Sequence, residues 1–232
     1  MSHRTNRTNR TNHRTALRGA TIALTAALGL TLAACGSGGS ASGKTAASAA
    51  AAAPKGTDRA GVPATPRTTA QGRTTLPPWD APSDASARAK AAQLPMLGAE
   101  GQVMHIHTHL DILVNGQPVT VPAFIGIDVK QQRISPLHTH TPDGVIHIES
   151  PVKADFTLGQ FMTEWNVALG ADQLGGLKAG GGKQLRAYVN GKQIKGDPAA
   201  IVLRAHDEIA LVYGPAGEQV KVPNSFNWPA GE

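Results

Sequence analysis

From residue 103 onward, apolar and polar side chains alternate with the period of two that marks a half-buried strand. In MHIHTHLDILV, Met104, Ile106, Leu110, Ile112 and Val114 share one face, and His105, His107, His109 and Asp111 share the other. Asn115-Gly116 then supplies a hairpin turn, since both residues tolerate positive φ; QPVTV is expected to return, followed after Pro122 by AFIGID. A second hairpin is expected around Asp143-Gly144. Its strands would cover about 136–141 and 145–150, with Leu137, Ile146 and Ile148 on the apolar face. A third closes on Asn190-Gly191 in QLRAYVNGKQI, and DEIALVYG reads as a late strand.

Two segments switch to the helical period. SDASARAKAAQLP would be capped by Ser83 or Asp84 and stopped at Pro95. TLGQFMTEWNVAL opens on a capping box, Thr157 with Gln160. Its Leu158, Phe161, Met162 and Trp165 make an apolar stripe, which places Trp165 in the core. The predicted class is α+β: mainly antiparallel β hairpins forming a sheet or partial barrel, with one or two helices packed on one face.

The N-terminal third has a different character. Residues 1–19 carry five arginines and no acid, and ATIALTAALGLTLAA follows, too short to span a bilayer. The run ends in LAAC, which holds the sole cysteine of the chain. This stretch resembles the lipobox of bacterial lipoproteins. The resemblance implies cleavage of a signal peptide, 1–34, after Leu32, Ala33 and Ala34, and acylation of Cys35. It would anchor the protein in the cell membrane through its N-terminal lipid, facing the extracytoplasmic side. No adjacent Arg-Arg pair directs it to the twin-arginine route. Residues 35–80, rich in Gly, Ser, Ala, Thr and Pro, are expected to form the lipidated end and a disordered tether of roughly 40 Å mean reach. The remaining residues, 81–232, make one His-rich domain that must fold without disulfides.

Charge reinforces that division. The net +6 of the chain belongs to the leader and tether, because residues 81–232 hold 12 basic and 14 acidic side chains. No basic patch with interleaved aromatics remains in the domain, so no nucleic-acid partner is indicated.

Six of the nine histidines fall between residues 105 and 147. They lie opposite the apolar residues of their strands, and therefore on an open face or a pocket lining. A two-residue turn at Asp143-Gly144 would set His140 opposite His147 and His138 opposite Glu149; a four-residue loop would set His138 opposite His147. Directly opposed side chains stand about 4.5–5.5 Å apart at Cβ, within reach of one ion. Imidazole and carboxylate suit a divalent transition metal, zinc or copper in first place, and no thiolate is present to select otherwise. The candidate ligands are His105, His107, His109, His138, His140, His147 and Glu149. The three histidines of the first strand span about 13 Å, so either one of them stands outside the coordination shell or the face holds two ions. Met104 and Met162 lie on apolar faces and argue against a thioether site, and His206 falls at a surface turn.

HIHTHLD and HTHTPDG are similar to the H-x-H element of cupins, whose strands give two histidines, a glutamate and a further histidine to one metal. Here the glutamate expected just beyond H-x-H is missing, and Asp111 or Asp143 is a loose substitute. GGLKAGGGKQ lacks the Gly-Lys-Ser/Thr ending of a phosphate loop. The expected function is therefore metal capture or delivery by a membrane-anchored lipoprotein. A metal-dependent enzyme of cupin-like or hydrolytic type is the alternative, and a structural or interaction domain whose metal merely holds two hairpins together is the blander one; without a metal, the face would be a His patch that senses pH, binds anions or has no role.

Overall fold

The computed structural model describes residues 60–229. The leader, Cys35 and the tether as far as residue 59 lie outside the described residues. In chain order the elements are helix α1 (Ala85–Ala91) and strands β1 (Met104–Val114), β2 (Gln117–Pro118), β3 (Ile127–Asp128), β4 (Arg133–Ile134), β5 (Leu137–His138) and β6 (Val145–Ser150). Helix α2 (Leu158–Glu164) follows, then β7 (Leu169–Gly170), β8 (Gln173–Leu174), β9 (Leu177–Lys178), β10 (Lys183–Val189), β11 (Lys192–Gln193), a short 3-10 turn (Pro198–Ala200) and β12 (Glu208–Pro215).

The main sheet runs β11-β10-β12-β1-β6-β5, with β2 folded back on β1. The hairpins are antiparallel as expected, but the sheet is mixed: β1 and β12 run parallel, and no barrel closes. Turn residues announce hairpins locally, whereas a parallel pair is joined by a long crossover that leaves no turn signature. Asn115-Gly116 and Asn190-Gly191 both take positive φ, as their hairpins require. The second hairpin is shorter than its sequence pattern. After His138 the chain leaves β6 because Thr139 bonds elsewhere: its N–H donates to Ile125 O (3.1 Å) and its C=O accepts from Phe124 N (2.8 Å). The register is accordingly His138 with His147 and Leu137 with Ile148.

The apolar face of the sheet carries Leu110, Ile112, Leu137, Ile146, Ile148, Ile209 and Leu211, and it packs in one core with Leu158, Phe161, Met162 and Trp165 of the α2 segment. Thr157 and Gln160 form the capping box at the start of α2 (3.1 and 3.3 Å), and Trp165 is fully buried. Met162 is buried on this side and the half-buried Met104 packs against it. Helix α1 is shorter than its pattern. Asp84 occupies the N-cap position without a side-chain cap bond, and pairs instead with Arg88 at 3.2 Å.

Residues 60–80, expected to belong to the tether, are part of this domain. Val62 and Trp79 are buried in its core, and Arg73 bridges backbone to backbone with the chain around Val167. Gln71 N donates to Thr163 Oγ1 (3.0 Å), and Thr157 Oγ1 donates to Arg67 O. A Cβ on Gly72 would stand 2.3 Å from Asn166 C, so only glycine allows that close pass. Composition is misleading here because two apolar side chains, Val62 and the large Trp79, each inserted in the core, suffice to dock an otherwise polar segment. Trp79 meets Trp165 edge-to-face at 5.8 Å, and its carbonyl accepts from Trp165 Nε1 (3.2 Å). Trp79→Ala is expected to cost about 3–5 kcal/mol in urea unfolding, whereas a segment merely lying on the surface would change stability little.

Candidate metal centre

The pairing of three adjacent strands assembles the histidines. β1 against β6 sets His107 opposite His147 and His105 opposite Glu149, and β5 against β6 sets His138 beside His147. One row across the sheet thus reads His107, His147, His138, with His105 and Glu149 one step along. The alternation of apolar and polar residues put these side chains on the face away from the core, and that is where they lie.

The face is covered rather than open. His138 is 0 % exposed, Glu149 3 %, and His107 and His109 5 % each. The C-terminal segment lies over part of it: Phe226 stacks on His109 (centroids 4.0 Å apart, 14°), and Trp228 stacks on His206 at 5.0 Å and His107 at 6.4 Å. His206 itself is exposed. His105 and His140 stand at the margins, their side chains 52 % and 40 % exposed, and His140 Nε2 lies 3.6 Å from Glu100 Oε1.

Ligand geometry follows from this packing. His138, His140, His147 and Glu149 each present one donor atom, all within 4.8 Å of one another, and so do His105, His107 and Glu149. Glu149 Oε1 stands 3.3 Å from His147 Nδ1, 3.4 Å from His105 Nε2 and 3.9 Å from His138 Nε2. Four ligands at metal–ligand distances of 2.0–2.1 Å in a tetrahedron lie roughly 3.3 Å apart, so these separations need little adjustment.

The protonation pattern fits the same reading. His138 Nδ1 lies 2.9 Å from Ser135 O. A carbonyl can only accept, so Nδ1 carries the proton and Nε2 offers a bare lone pair. Burial pushes the pKa of His138 down to about 4, which keeps the ring neutral. Burial opposes ionisation of Glu149, but the His147, His138 and His105 rings outweigh it and hold the carboxyl below its usual range. His138 Nε2, His147 Nδ1 and Glu149 Oε2 are buried and have no hydrogen-bond partner among the described residues. Leaving each such atom unsatisfied costs about 1–3 kcal/mol, so three of them on the adjoining side chains of one cluster point to a ligand.

His109, expected among the ligands, is drawn to a different group. Its Nδ1 lies 2.8 Å from Glu208 Oε2 and its Nε2 2.8 Å from Asp143 O. The Asp143-Gly144 turn closes on the ring, where a Cβ at Gly144 would stand 2.8 Å from Nε2. Burial works against a charge on His109, but the Glu208 carboxylate and the Asp143 carbonyl overcome it and raise its pKa. Burial likewise pushes Glu208 up. Because the Asp143 carbonyl needs an N–H, the charged ring beside Glu208 is the pairing the geometry supports. Glu208→Gln should therefore lower the titration midpoint of His109 followed by NMR, and an unchanged midpoint would mean that Glu208 does not hold the proton.

Glu208 escaped the sequence reading. It stands 99 residues from His109 and reaches it through the parallel β1–β12 pairing, with no local signal beyond an acid at the head of an apolar strand. With Asp111 and His109 it makes a third group of potential ligand atoms.

No family model matches this chain, and comparison with curated proteins and with solved structures finds no match either.

Proposed function

We propose that this protein binds a divalent transition metal ion, zinc or copper, through His138, His147 and Glu149 with His140 completing the shell. In this reading it acts outside the cytoplasm as a lipoprotein held to the membrane by Cys35, capturing or delivering the ion. The observation that carries the metal assignment is the cluster of His138, His140, His147 and Glu149, whose donor atoms lie within 4.8 Å of one another in a largely buried site. Imidazole and carboxylate donors without a thiolate fit zinc or copper. Copper will outcompete zinc in vitro by the Irving–Williams order, so affinity alone does not name the physiological ion.

Calorimetric titration of zinc into the purified chain tests the site. The wild type should bind tightly, and His138→Ala/His147→Ala should weaken binding at least 100-fold. Equal, weak binding by both would remove the site. The anchor rests on the LAAC sequence alone, and growth with labelled fatty acid tests it. Label should enter the wild type and be lost in Cys35→Ala, and label retained in the variant would end the lipoprotein assignment.

A metal-dependent enzyme is the second reading. It is favoured by a cavity of about 580 Å³ beside His105, lined also by Met104, Lys153, Asp155 and Arg204. A carrier site fills its shell with protein ligands, whereas a catalytic one keeps a position open toward such a cavity.

A further inference from the structure

We infer that Glu149 bridges two metal ions, the second held by His105 and His107 on the solvent side of the first. This inference rests on the metal-binding reading above and extends it from one ion to a pair. Glu149 belongs to both ligand groups, and its Oε1 is nearly equidistant from His147 Nδ1 (3.3 Å) and His105 Nε2 (3.4 Å). One ion among His138, His140 and His147 needs a single oxygen of that carboxylate. Oε2 would then stay unpartnered in a residue only 3 % exposed. A carboxylate shared by two ions has a use for both of its oxygens.

The first strand supplies the remaining donors. Nε2 of His105 and Nε2 of His107 face each other at 3.2 Å, close to the roughly 3.3 Å that separates two ligands on one tetrahedral ion. Facing ring nitrogens are compatible with one shared proton or with one shared ion. His107 also lies against His147, their centroids 4.5 Å apart, so the two ligand groups adjoin with Glu149 common to both. Carboxylate-bridged ions in protein sites stand about 3.5–4 Å apart. Two dications against one carboxylate leave excess positive charge, which a buried site could not hold. The second position opens to solvent on its His105 side, since His105 is half exposed and lines the surface cavity, where water or an anion can complete the shell.

The test loads the purified full-length chain with excess Cu²⁺, removes unbound metal by gel filtration, and measures copper per chain and the electron paramagnetic resonance of the bound ions. Two ions per chain are expected, with a spin-coupled spectrum of reduced double-integrated intensity. His105→Ala/His107→Ala should hold one ion with an uncoupled spectrum, and His138→Ala/His147→Ala should lose the coupling as well. One ion in the wild type, unaffected by His105→Ala/His107→Ala, overturns the bridge and leaves the single-ion site standing. Two ions without coupling also overturn the bridge. No retained copper, or copper insensitive to both double variants, overturns the bridge and the metal-binding reading together.

Discussion

Glu164→Gln is expected to stabilise the domain by about 4 kcal/mol at pH 8. Glu164 ends α2 with its carboxyl fully buried and neither oxygen in a hydrogen bond. Burial pushes its pKa from 4.5 up to about 8, the larger effect against that of the nearby Ser135 side chain, which lowers it. Below pH 4.5 the carboxyl is protonated in both states and imposes no pH dependence. Above that the unfolded chain releases its proton while the folded one keeps it. Stability therefore falls by about 1.4 kcal/mol per pH unit until the folded carboxyl itself ionises near pH 8. Glutamine preserves shape and removes the titration. Urea unfolding of metal-free protein at pH 5 and pH 8 measures this directly: the gain should be below about 1 kcal/mol at pH 5 and near its maximum at pH 8. Equal stability of the two proteins at pH 8 would mean that the carboxyl is solvated.

The second large effect is stabilisation by the ion. A ligand at one hundred times its dissociation constant adds about 2.7 kcal/mol, provided it binds the folded state alone. For a domain of this size that is roughly 5–10 °C in Tm. Zinc should produce such a rise in the wild type and none in His138→Ala/His147→Ala, measured by calorimetric melting. The rise should shrink as pH falls through the imidazole range near 6.5, because a protonated ring has no lone pair to give. A shift that survives in the double variant would place the ion elsewhere.

Much of this arrangement was legible in the sequence because it depends on period and local turn chemistry. The strict alternation through 104–114 assigned core and histidine faces, and the Asn-Gly turns and the Thr157–Gln160 capping box marked elements that the structure contains. The short reach of those signals explains the rest. Strand β12 enters beside β1 by parallel pairing, which brings Glu208 to His109 from the far end of the domain. The choice between the two registers of the second hairpin turned on Thr139, whose backbone bonds go to the 124–125 segment rather than to β6. The covering of the histidine face by Phe226 and Trp228, and the docking of residues 60–80 through Val62 and Trp79, are tertiary contacts that no local pattern encodes.

These tertiary contacts alter the chemistry. A histidine face open to water would hold solvated, readily protonated rings. Here His138 and Glu149 are almost wholly excluded from the surface, and their donor atoms are turned away from bulk solvent. Such a site gains more from an ion than an exposed cluster does, since the donors arrive already desolvated and oriented.

X-ray absorption at the zinc edge of the zinc-loaded chain reads the ligand set of the bound ion itself. The expected first shell is nitrogen and oxygen at about 2.0–2.1 Å with no sulfur, with the outer-shell scattering of several imidazoles. In His138→Ala/His147→Ala that imidazole scattering should fall. A shell of oxygens alone, with no imidazole signature and no change in the variant, would contradict the assignment of this histidine cluster as a metal site.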